Sequence, residues 1–134
     1  MAVYTHLTAA ELAEFVGHYD VGALRSAKGI AEGVSNSNWL IETAHSGASR
    51  RFIMTVFEAR TEAADLPFFL HLLDHLADAG QPVPRTIHTS DGGQMITVRG
   101  KPAALIEFLP GVSIDEPDAQ QAHAVGVALA DLHL

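Results

Sequence analysis

Two glycines, a serine and two asparagines, Gly29, Gly33, Ser35, Asn36 and Asn38, crowd the stretch KGIAEGVSNSNWLIET at residues 28–43, between apolar, strand-like runs. Small residues let backbone N–H groups approach phosphate oxygens closely, and serine or asparagine side chains add neutral donors. An ordinary β-hairpin also uses such residues, because its turn tolerates left-handed backbone, and the spacing is not the G-x-G-x-x-G of the usual nucleotide loop. From the turn alone, both readings stand. A second group, His71, Asp74 and His75, places two histidines four apart on one helical face, a spacing that metal ligands use. These three lie mostly off the apolar stripe of their segment, so solvent-facing polar side chains are the plainer expectation. His133, in LADLHL, is assigned no chemistry. Cysteine is absent, which excludes disulfides, thiolate catalysis and cysteine-ligated metal sites.

Composition narrows the function classes further. With 134 residues, 48% of them hydrophobic, the chain suits one domain with a real core. Eight basic against sixteen acidic residues give a formal charge of -8, which opposes nucleic acid and anionic membrane as partners. No apolar run approaches the roughly 20 residues of a membrane helix, and the start MAVYTHLTAAELAEF lacks the features of a secretory signal, so the expectation is a soluble, cytoplasmic protein.

The elements that must position the turn are readable in outline. Thr8 followed by Glu11 forms a capping-box signature, Leu7 is placed to staple onto Leu12, and a helix over 8–17 follows. Runs over 24–30, 39–43 and 52–57, the last two separated by a turn over 45–49, predict an antiparallel meander. Helical period returns with Leu66, Phe69, Leu70, Leu73 and Leu76 as one stripe facing the sheet. Asp65 is its expected N-cap, Pro67 lies in the first turn and Gly80 is the stop. The DGG at 91–93 predicts a hairpin between 86–89 and 94–98, and 103–109 reads as an apolar strand ended by Pro110 and Gly111. A last helix, starting near Pro117 with Ala122, Val125, Leu129 and Leu132 on one side, reaches the end of the sequence without a stop signal, as if cut inside an element.

The expected class is α+β: a five-stranded antiparallel sheet with a long helix between strands 3 and 4, plus an N-terminal helix. That order is the one found in the small lobe of protein-kinase-like folds, where the turn between the first two strands covers nucleotide phosphates and the last strand leads to an adenine-binding hinge. In such a hinge, adenine bonds to the backbone carbonyl of Glu107 and the backbone N–H of Leu109, with Ile106 and Phe108 as apolar walls. A buried strand with an ordinary exit turn is the competing reading of LIEFLPG.

Five segments, KGIAEGVSNSNWLIET, FIMTVFEAR, DLPFFLHLLDHLADAGQPVPRTI, AALIEFLPGV and GVALADLHL, together resemble the N-terminal part of bacterial homoserine kinases of the aminoglycoside-phosphotransferase-like branch. The resemblance spans nearly the whole chain and less than half of a full family member. It implies a kinase-like N-terminal lobe over 1–109, and a hinge exit with the first helix of a truncated C-terminal lobe over 110–134. It further implies transfer of the ATP γ-phosphoryl to the hydroxyl of L-homoserine in threonine biosynthesis, with Mg2+ held by the C-terminal lobe. Partners would be ATP and L-homoserine, with no nucleic acid or membrane, and the oligomeric state is open. Choline, an aminoglycoside or a sugar are alternative acceptors. A non-catalytic nucleotide-binding or interaction module, or a dimerisation domain pairing through the last helix, is the alternative outside that class.

Two features depart from the usual kinase pattern. Register puts Thr55 where the strand-3 lysine would stand, and Phe68 and Phe69 lie about where its glutamate partner is expected. Lys28 and Arg60, with Glu62 or Asp65, are candidates for the missing charge, or are simply solvated. No H-x-D-x-x-x-x-N or later D-F-G-like triplet is present, so these residues alone are not expected to catalyse phosphoryl transfer.

Overall fold

The computed structural model describes residues 5–30, 36–58, 63–111 and 114–133. The first helix, α1 (Ala9–Gly17), starts where its sequence requires. The Thr8 hydroxyl accepts from the Glu11 N–H at 3.2 Å, and the Glu11 carboxylate accepts from the Thr8 N–H at 3.0 Å, so two otherwise free donors are satisfied. Leu12, Phe15 and Val16 form its buried face, and Leu7 packs on the same cluster. Gly22 then turns the chain into the sheet at φ +97; a Cβ there would stand 2.5 Å from the Ala44 carbonyl oxygen, so only glycine fits.

The sheet contains β1 (Ala23–Ile30), β2 (Asn36–His45), β3 (Ala48–Phe57), β4 (Ile96–Val98) and β5 (Lys101–Glu107) in the order β1-β2-β3-β5-β4, antiparallel throughout. Ser46 and Gly47, both at positive φ, close the β2–β3 hairpin as a two-residue turn of the primed kind that matches strand twist. Between β3 and β4 run a single 3-10 turn (Ala63–Asp65) and α2 (Leu66–Asp78), and α3 (Ala119–His133) follows the sheet. No described helix is long and apolar enough to cross a membrane.

Residues paired across an antiparallel ladder share a face, and neighbours along a strand alternate. One face therefore carries Trp39, Ile41, Phe52, Met54, Val56 and Leu105, which α1 covers with Leu12, Phe15 and Val16 to make the core. The opposite face carries Leu40, Ile53 and Ile106 in one row and Asn38, Thr55 and Ala104 in the next.

Several expectations change. The hairpin around Asp91–Gly93 is not a ladder: Thr86 and Thr89 make only isolated bridges, to Ile106 and Tyr19, and the strand hairpin lies further on, where Arg99 and Gly100 at positive φ join β4 to β5. Asp91 instead closes a loop on itself, with Thr89 Oγ1 bonded to its carboxylate and to the Gly93 N–H. In α2 the buried residues are Leu66 and Leu70, whereas Phe69 is exposed, so the stripe is narrower than its apolar residues imply. Asp65 occupies the N-cap position but makes no capping bond with its side chain. The last helix starts at Ala119, with Asp118 and Gln121 bonding each other's backbone N–H at 2.8 Å, and none of its side chains is buried.

Candidate functional site on the open sheet face

The face not covered by α1 is graded. At the β1 edge Lys28 stands opposite Leu40, and from there Leu40, Ile53 and Ile106 form a partly buried apolar floor across three strands. Two residues along the strands, about 6.8 Å further, the row becomes Ile30, Asn38, Thr55 and Ala104. Thr55, only 7% exposed, donates its hydroxyl proton to Asn38 Oδ1 at 2.8 Å. In the other direction Glu42 faces Arg51, whose guanidinium lies 5.9 Å from the Phe108 ring. An apolar floor with a neutral polar step at one end is a surface suited to a planar, apolar-faced ligand that carries an acceptor-rich tail.

The walls come from three elements. Thr86, bridged to Ile106, shares this face, and Asp74 of α2 takes both its N–H at 2.8 Å and its hydroxyl at 2.7 Å. The same carboxylate accepts from Gln94 Nε2 at 2.9 Å and meets His88 Nε2 at 2.8 Å. Asp74 is thus a hub that ties α2 to the 86–94 segment, not the solvent-facing side chain its position off the apolar stripe implies. Burial alone would raise its pKa, but the hydrogen bonds from His88 and Thr86 hold it below the ordinary aspartate value. His71 and His75 are exposed, and no group of three or more His, Asp or Glu among the described residues is arranged to hold a metal ion.

At the end of β5, the N–H of Glu107 donates to the Arg85 carbonyl at 2.9 Å, so that donor is committed within the protein. Leu109 lies just past the strand and is exposed. Of the turn residues, Gly33 and Ser35 lie outside the described residues, as do Arg60 and Glu62. Asn36 opens β2, and its Oδ1 accepts from the Glu58 N–H at 3.3 Å. Gly29 is in β1, paired with Trp39, so it sits on the closed face rather than beside Asn38.

Behind the start of β2 lies a network that sequence reading does not find. Glu58, with its side chain 10% exposed, accepts from Thr5 and Ser37 hydroxyls at 2.6 Å and from Lys101 Nζ at 2.6 Å. Burial pushes the Glu58 carboxyl up, yet the bonds from Lys101, Ser37 and Thr5 outweigh it and hold the pKa below the ordinary value. Lys101 is therefore engaged on the closed face and does not serve as the missing cation of the open one.

A model of a phosphotransferase enzyme family matches residues 26–134, which contain the whole sheet apart from the first residues of β1. The chain belongs to that family. The chain is similar over its full length to homoserine kinases: 51% identical over 134 residues to that of Caulobacter vibrioides strain NA1000 / CB15N, covering 41% of the relative, and 46% identical to that of Azorhizobium caulinodans, covering 40%. A third, from Sinorhizobium fredii, is 49% identical over 133 residues, 99% of this chain and 40% of the relative. The chain spans about two-fifths of the length of these curated relatives. Among solved structures, a microcompartment-associated aminopropanol kinase matches with a TM-score of 0.71 at 20% identity, over 94% of this chain and 40% of that one. The α+β architecture is thus the small lobe of a phosphotransferase of protein-kinase-like fold.

Proposed function

We propose that this chain is the nucleotide-binding lobe of a homoserine kinase. The observation that carries the reading is the graded open face, in a chain 46–52% identical along its whole length to proteins named homoserine kinase. Leu40, Ile53 and Ile106 form the floor for adenine, with the carbonyl of Glu107 and the N–H of Leu109 as its edge partners. Asn38 and Thr55 stand one step toward the end of β1 and the start of β2, where the phosphates extend, with Gly29, Gly33 and Ser35 as the remaining candidates to contact them. ATP supplies the γ-phosphoryl group: its bond to the β-phosphate oxygen breaks as a new one forms to the L-homoserine hydroxyl oxygen. In this reading the part of these residues in catalysis is to bind and orient the nucleotide. Soluble, cytoplasmic residence fits such a role in amino-acid biosynthesis.

The test is ADP release by the chain extended to the length of its relatives, with L-homoserine, choline, an aminoglycoside and a hexose compared as acceptors. The account expects kcat/KM for L-homoserine to exceed the others by at least about a hundredfold. Preference for another acceptor would reassign the enzyme within the family, and ADP release with none of them would remove the kinase reading.

A further inference from the structure

The position where a kinase-like sheet usually presents a lysine to the phosphates holds Thr55, which is nearly buried and carries no charge. Its hydroxyl is directed to one atom, Asn38 Oδ1, at 2.8 Å. A carboxamide whose oxygen is fixed in this way has a fixed nitrogen, with two N–H donors. Among the described residues none accepts from Asn38 Nδ2, although Asn38 is itself half-buried between Ile30 and Thr55. An NH2 group so placed is open to an acceptor supplied by a ligand.

The row it occupies narrows the acceptor. Asn38 stands about 6.8 Å along the sheet from the Leu40–Ile53–Ile106 floor, on the side where β1 ends and β2 begins. A ring lying on that floor extends its sugar and first phosphates across this row. No lysine or arginine shares it: the cations of the face, Lys28 and Arg51, lie on the floor row and beyond it, and Lys101 is engaged with Glu58 on the opposite face.

Resting on the nucleotide reading above, we infer that Asn38 Nδ2 donates to a phosphate oxygen of the bound nucleotide and that Thr55 is the positioning residue that sets its amide. The lobe thus contacts these phosphates through a neutral, oriented donor in place of the usual ammonium group. A neutral donor needs no carboxylate partner on the helix, which accords with Phe68 and Phe69 standing exposed on α2 and with α2 being held by Asp74 instead.

The experiment is a 15N and methyl NMR titration of the 134-residue chain with Mg-ATP and, separately, with adenosine. The inference expects the Asn38 side-chain amide signals to shift with Mg-ATP and stay in place with adenosine, while the Leu40, Ile53 and Ile106 methyls shift with both. Asn38→Ala should weaken Mg-ATP roughly tenfold and adenosine less than about twofold, as expected for a hydrogen bond to a charged group. Thr55→Val should weaken Mg-ATP alone, by about fivefold, and Thr55→Ser should restore it, a selectivity that a merely structural role for Thr55 would not show. Methyl shifts with both ligands but a stationary Asn38 amide would overturn the inference and leave the nucleotide reading standing. Saturating ligand with no shift at floor or amide would overturn both.

Discussion

The two faces of one sheet are built on opposite rules. On the closed face, Phe52, Met54, Val56, Ile41 and Leu105 are almost wholly buried under α1, and even its one charged cluster, Glu58 with Lys101, has each polar atom bonded within the protein. On the open face, Leu40, Ile53 and Ile106, one position away along the same strands, are only partly buried, and Asn38 keeps an unused donor pair among the described residues. The alternation of a β-strand is what allows this. Stability is concentrated on one set of residues and the proposed ligand contacts on the other, so the two can vary separately.

The largest test of that contrast compares neighbours. Phe52→Ala, on the closed face, should cost about 3–5 kcal/mol in urea unfolding, from lost transfer energy plus the cavity left behind. Ile53→Ala should cost only about 1 kcal/mol, because its side chain is already in part exposed to water. Equal losses at the two positions would break the division between faces.

Next in size is the charged cluster. Lys101→Met leaves the Glu58 carboxylate 10% exposed without its cation, a loss of about 1–3 kcal/mol, moderated because Lys101 is itself partly open to solvent. Pairing it with Glu58→Gln should recover part of that loss, since no uncompensated charge remains. A double variant less stable than Lys101→Met would contradict the coupling.

Acid should reveal a smaller effect. Hydrogen bonding from Arg99 lowers the Glu11 pKa to about 2, and Glu58 and Asp74 are also lowered. A carboxylate whose folded pKa lies below its unfolded value contributes stability that is complete above the unfolded pKa, about 4.3 for glutamate. That stability is lost as pH falls toward the folded value. The urea midpoint should therefore be level from neutral pH down to about 5 and decline below about 4.3, and Arg99→Met should flatten the part of the decline due to Glu11. A midpoint that rises on acidification would reverse the assigned direction.

What the sequence revealed depended on range. The α1 start was legible because Thr8 and Glu11 complete each other's bonds three residues apart, whereas the pairing of Thr55 with Asn38 came only from the strand register of the structure. The β4–β5 turn was not, because Arg99 adopts positive φ without being a turn-forming residue, while the more conspicuous Asp91–Gly93 closes a local loop. Asp74 was misread because hydropathy records where a side chain sits on a helix and not which buried hydroxyl and amides will meet it. Glu58 and Lys101 lie 43 residues apart, and nothing local in either segment points to the other. Within the site, the polar step was readable from residue types, whereas the apolar floor of Leu40 and Ile53 looked like ordinary strand until the pairing showed which face they share.

The most direct test of the account is calorimetric titration of the chain with Mg-ATP, alongside the Ile53→Glu variant. A carboxylate on the apolar floor should abolish measurable binding while the circular dichroism spectrum and urea midpoint stay close to those of the parent chain, because Ile53 is outside the core. Mg-ATP binding of unchanged affinity by a folded Ile53→Glu chain would show that the nucleotide does not rest on this face.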